Sequence, residues 1–186
     1  GLVPGVVSDR NDVDSLIAKI DHQLTSRETL SGRYAYASSQ QVFPLGSLGG
    51  FGSGSRLAAF AQTSPTRVQV VSVSLLSSLS GNKLNEVRFG YSRYRTSFSA
   101  LDANFDPSTL GIDFGTGKLG LPEIDFSGAF DNLGATAYSI PRGRTSQSFQ
   151  ILDNFTIESG RNTFKFGGDY NLIQLRSSKA QIFELD

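Results

Sequence analysis

Asn85-Glu86-Val87-Arg88-Phe89-Gly90-Tyr91-Ser92 follows the short turn Ser80-Gly81-Asn82-Lys83, and its reading decides the fold. Val87, Phe89 and Tyr91 alternate with Arg88, Gly90 and Ser92, so an extended chain carries one apolar and one polar side. A helix would scatter these residues around its circumference. The run predicts a strand over about Leu84 to Phe98. Upstream of the turn, about Thr66 to Leu79 reads as its partner, with Val71, Val73 and Leu75 on the more lipid-like face.

The same unit recurs on both sides. About Val13 to His22 and about Glu28 to Ser38 flank the turn Gln23-Leu24-Thr25-Ser26-Arg27. About Thr145 to Ile157 and about Thr163 to Leu175 flank Glu158-Ser159-Gly160-Arg161-Asn162. Leu16, Ala18 and Ile20 oppose Ile17, Lys19 and Asp21, and Leu30, Gly32, Tyr34 and Tyr36 oppose Thr29, Ser31, Arg33 and Ala35. Phe164, Phe166, Tyr170 and Leu172 oppose Lys165, Asp169 and Asn171. Asp153 breaks the pattern by sharing a face with Phe149, Ile151, Phe155 and Ile157, which a bulge or a position near the headgroups would relieve.

Short turns alternate with two long connections, about Ser39–Pro65 and about Ser99–Arg144. Loops in compact soluble domains run about 4–6 residues. Tight turns on one side and large loops on the other are the habit of an outer-membrane β-barrel, with the turns periplasmic and the loops extracellular. The expected fold is therefore all-β, an antiparallel up-and-down transmembrane barrel. Six strands cannot close such a barrel, which needs at least about eight. Residues 1–186 are expected to form one partial barrel domain, a curved-sheet fragment of something larger.

Composition agrees. The chain has 17 basic and 17 acidic residues, so no bulk charge favours nucleic acid. Cys, Met and Trp are absent, which excludes disulfides and thiolate metal sites. The missing initiator Met points to a processed chain or an internal piece. No stretch approaches the roughly 18 apolar residues of a transmembrane helix, and no basic n-region followed by an apolar h-region opens the chain, so a signal peptide is expected to be absent or already removed.

Several motifs invite sharper readings. Gly115-Thr116-Gly117-Lys118-Leu119-Gly120 matches the dinucleotide fingerprint, but Pro122 opposes the helix that must follow, so a loop is expected. As a P-loop it fails at Ile112 and Leu119. His22, the only histidine, reads as a rim residue beside a turn. Asn154-Phe155-Thr156 sits inside a strand, where glycosylation is not expected. Asp102, Asp106, Asp113, Glu123, Asp125 and Asp131 could offer oxygens to calcium, but their spacing fits no EF-hand rule, so solvated charge is expected. No catalytic, cofactor-binding or metal residue is expected.

Two groups remain as contact candidates. Arg33, Arg88, Lys165 and Asp169 fall on the expected lumen face, where a plug or passing solute would meet them. Phe114, Glu123, Asp125 and Phe126 are candidate ligand contacts in the longer loop, with Phe105 and Phe130 as further apolar neighbours. Tyr34, Tyr36, Tyr91 and Phe149 sit where an aromatic girdle belongs.

The ordered set Asn85–Tyr91, Gly120-Leu121-Pro122-Glu123-Ile124-Asp125-Phe126-Ser127-Gly128, Asp153-Asn154-Phe155-Thr156 and Gly160–Tyr170 resembles the barrel of TonB-dependent outer-membrane receptors. It is most similar to the Oar-like group with an N-terminal carboxypeptidase-regulatory-like domain. The resemblance runs from about Val13 to Leu175. It implies a barrel of about twenty-two strands, closed by a plug. It also implies active uptake of a scarce nutrient (siderophore, cobalamin, oligosaccharide or peptide class) driven by the inner-membrane TonB complex. The implied partners are outer-membrane lipid, the plug and remaining strands of the same protein, that complex through an N-terminal region, and an unknown ligand. No plug, TonB-contacting box or terminal aromatic signature is found in this stretch. Two alternatives are a structural or adhesive barrel, or passive porin, with ligand-binding loops, and a soluble β-sandwich that buries Phe89, Phe164 and Phe166 in a common core.

Overall fold

The computed structural model describes residues 10–43, 57–113, 115, 117, 119–124, 126–127, 132–134 and 142–179. Six strands form one sheet: β1 Arg10–Thr25, β2 Glu28–Phe43, β3 Gln62–Ser80, β4 Lys83–Ala100, β5 Arg142–Ser159 and β6 Asn162–Lys179. Their order in the sheet is their order in the chain, and every neighbouring pair is antiparallel. The sheet is curved and unclosed. β1 and β6 each pair on one side only, and bare strand edges of this kind are not tolerated in hydrocarbon.

All six strands outrun the ranges that apolar alternation predicts, with β2 reaching Phe43 and β3 starting at Gln62. They are 16 to 19 residues long. Crossing a bilayer takes about 9–11 residues. The backbone ladder continues past the end of the apolar alternation, so composition under-reads the strand ends.

The turns shrink correspondingly to two residues each: Ser26-Arg27, Gly81-Asn82 and Gly160-Arg161. Gly160 has φ 61°, which a residue with a side chain adopts poorly at the first position of a two-residue hairpin. The other two turns absorb a register shift, between Gln23 and Thr25 and between Ser78 and Ser80. Neighbouring hairpins are also tied at their turns. Ser78 N–H donates to Arg27 O at 2.8 Å, and Glu158 N–H to Asn82 O at 2.9 Å.

Register sorts the side chains into two faces. Across the sheet, Ala18, Tyr34, Val71, Tyr91, Phe149 and Leu172 form one row, and Ile20, Gly32, Val73, Phe89, Ile151 and Tyr170 the next toward the turns. Tyr91 and Phe149 pack with their rings tilted by 41° and their centroids 4.9 Å apart. None of this band is a core. Phe89, Phe164 and Phe166 are 40%, 49% and 59% exposed on one uncovered sheet, which overturns the soluble sandwich. Among the described residues the buried hydrophobics are Phe60, Ala61 and Ala100, all at the long-loop end.

Candidate functional site

The opposite face is polar and partly self-paired. Arg88 reaches Glu86, two residues along the same strand, at 2.7 Å. Lys19 pairs with Asp21 in the same manner at 2.7 Å. Asp169 accepts from Gln150 Nε2 at 3.1 and 3.0 Å. Arg33 lies directly opposite Lys19, and Lys165 opposite Thr156. Arg33, Arg88, Lys165 and Asp169 are thus on one exposed face as the alternation requires, but spread over β2 to β6. Even Arg88 and Asp169 are held apart by Leu152 between them. They line a wall and do not converge on a point.

A hollow of about 470 Å³ opens at the long-loop end of this face, lined by Tyr94, Thr96, Phe98, Arg142, Arg144 and Lys179 among others. The Arg142 guanidinium lies 4.5 Å from the Phe98 ring centroid, and Arg142 is the direct cross-strand partner of Lys179. Three cations at one wall favour an anionic visitor. The sequence reading missed this hollow because it left Arg142 and Arg144 in a loop. Arg142-Gly143-Arg144 carries a period-two signal, but no apolar alternate marks it as strand.

Beyond the ends of β3 and β4 the two long connections meet. Ala58–Phe60 forms one 3-10 turn and Pro107–Leu110 another, the latter capped by Asp106, whose carboxylate accepts from Ser108 N–H at 3.0 Å. That hydrogen bonding by Ser108 holds the Asp106 carboxyl below its ordinary value. Leu101 N–H donates to Ala61 O at 2.9 Å, and Leu121 and Leu133 pack on Phe60 and Ala100. Ile124 and Leu133 close a small antiparallel bridge. Beside it Gly134 has φ 91°, and a Cβ there would lie 2.1 Å from Pro122 O.

Among the described loop carboxylates, Asp102 and Glu123 serve this packing, whereas Asp106 and Asp113 cap exposed turns. Asp102 Oδ2 accepts from Leu121 N–H at 3.0 Å, and Asp113 Oδ1 from Gly115 N–H at 2.7 Å. Glu123 is fully buried and accepts from Asn132 Nδ2 at 3.0 Å. A ligand could meet Glu123 only by opening the cap. Phe126 is 41% exposed and half-buried Phe105 gives its carbonyl to Gly120 N–H, whereas Phe114, Asp125, Phe130 and Asp131 lie outside the described residues. No helix follows Gly115 among the described residues, and no cluster of three metal-ligating side chains occurs among them.

A family model described as an outer membrane beta barrel domain matches residues 5–182. The chain belongs to that family. No curated protein and no solved structure matches. As an outer membrane β-barrel domain it resides in the bacterial outer membrane. In strands of such a barrel an apolar face meets lipid and a polar face meets the lumen, and Arg33, Arg88, Lys165 and Asp169 share the polar face opposite the apolar band. That no described helix is long and apolar enough to cross a membrane says nothing against it, because strands do the crossing.

Proposed function

We propose that this barrel segment belongs to a TonB-dependent receptor that actively takes up a scarce nutrient of the siderophore, cobalamin, oligosaccharide or peptide class. The observation that carries the reading is the cationic hollow set into the polar wall at the long-loop end of the sheet, the end that also carries the folded loop cap. In this reading an incoming solute meets the long-loop end, with its cap and hollow, before the plug of the same protein. The ordered resemblance from Asn85 to Tyr170 supports the family, its Oar-like group, and a barrel of about twenty-two strands. The partners in this reading are lipid, the plug and remaining strands, the TonB complex through an N-terminal region, and the solute. The cationic lining favours solutes bearing carboxylate or phosphate.

Growth of a deletion strain on candidate nutrients, restored by the full-length protein, tests this. Restoration should require an intact TonB complex and should weaken with R142Q/K179Q. Uptake indifferent to TonB would overturn active import in favour of a passive pore. The folded cap specifically favours one other reading, an adhesive barrel, since it presents a preformed surface. Binding to a surface partner without any uptake would select it.

A further inference from the structure

We propose that Arg67, Arg93 and Arg95, with Arg176 at their flank, bind the phosphate of a lipid headgroup in the outer leaflet. All four sit on the lipid face. Gln69, Arg93, Gln147 and Gln174 make the row just above Val71, Tyr91, Phe149 and Leu172, and Arg67, Arg95, Thr145 and Arg176 make the next. A row is two residues, about 6.6 Å along a strand. Long arginine side chains there lie at headgroup depth, one or two rows beyond the hydrocarbon band. The long loops place this end of the strands at the outer leaflet.

The arrangement calls for an anion. Arg67 and Arg95 are direct cross-strand partners, about 4.5–5.5 Å apart at Cα. Like charges so placed repel. None of the four forms an ion pair with a described carboxylate. Asp14, the acid in the same row, is separated from Arg67 by Ser38. Arg93 Nε is buried with no acceptor, so a strong donor stands idle. Arg67 lies over the Tyr36 ring at 5.9 Å, which fixes it at the girdle. Guanidinium groups match phosphate oxygens in bidentate pairs, and one phosphate between Arg67 and Arg95 removes their repulsion. Continuity with the lipid band selects a lipid-borne phosphate over a free one. This inference rests on membrane location and loop direction, and is independent of whether the barrel imports anything.

The test uses the full-length protein in detergent, with unfolding followed by heat-modifiable gel mobility. Bisphosphorylated lipid A should raise the unfolding temperature, whereas dephosphorylated lipid A and inorganic phosphate should not. R67Q/R95Q should weaken the lipid response about a hundredfold in concentration, at roughly tenfold per arginine. R67K/R95K should keep much of it. Without lipid, R67Q/R95Q should unfold no lower than the parent, because it removes a repulsion. An equal response to the dephosphorylated lipid, an equal response to inorganic phosphate, or an unaltered response in R67Q/R95Q would each overturn the proposal. So would a drop in the lipid-free unfolding temperature of R67Q/R95Q, which would assign the arginines to packing.

Discussion

The loop cap and the sheet beneath it are stabilised in opposite ways. The cap keeps its own small core, with Phe60, Ala61, Ala100, Gln62 and Glu123 all buried and the two connections joined by the hydrogen bond from Leu101 N–H to Ala61 O. The sheet buries almost nothing. Ile20, Phe89, Ile151, Phe166 and Tyr170 are 69%, 40%, 53%, 59% and 64% exposed, a kind of surface monomeric soluble proteins rarely carry. The sheet is incomplete by itself, with an uncovered apolar face and open edges at β1 and β6, whereas the cap is completed from within. Damage to the cap should therefore leave assembly alone, and damage to the band should leave the cap alone.

The strongest test of that separation is Gly134→Ala. The positive φ alone costs about 1–3 kcal/mol, and the overlap with Pro122 O adds to it. Limited proteolysis of the full-length protein in membranes should show rapid cleavage between residues 101 and 141 with heat-modifiable mobility unchanged. Loss of assembly would show that sheet and cap fold as one unit. Next in size is Phe89→Lys or Phe166→Lys. Near the midplane a lipid-facing lysine costs about 2–4 kcal/mol, so the heat-modifiable species should diminish. Normal insertion of both variants would mean the faces are assigned the wrong way round.

A smaller effect has the opposite sign. Gln62 is fully buried, and neither its side-chain nitrogen nor its oxygen has a hydrogen-bond partner. Gln62→Leu should slow cap proteolysis, corresponding to about 1 kcal/mol of stabilisation. Faster cleavage would reveal a hydrogen-bonded role for the amide. The least effect is electrostatic. Because Asp106 titrates below its ordinary value of 3.8, its capping contribution is complete above that value. It fades as pH falls through the lowered folded value. Protease sensitivity of the cap, probed with an acid-active protease, should rise below about pH 3.8 in the parent and change less with pH in Asp106→Asn. An identical profile in the variant would show that the cap does not draw on this carboxylate.

Much of the sheet was legible because its signal is local. Side chains alternate faces every residue, so Val87-Arg88-Phe89-Gly90-Tyr91 declares its pleat, and the short turns declare the pairing. That Arg33, Arg88, Lys165 and Asp169 share the polar face followed from parity alone. The loop candidates were less accessible to this reasoning. Glu123 reads as an exposed acid in a Gly-rich stretch, and only the fold buries it against Asn132.

The sequence by itself determined that the chain is a sheet with one face for lipid and one for water, since that depends only on which residues are neighbours along a strand. The tertiary structure decided what depends on register between strands. It carried β2 to β5 past the end of the apolar pattern, because backbone pairing is indifferent to side-chain polarity. It set Arg142 beside Lys179 in a hollow, and Arg67 beside Arg95 above the lipid band. Those pairs come from distant parts of the chain, and no periodicity within a strand reports which residue its neighbour will offer.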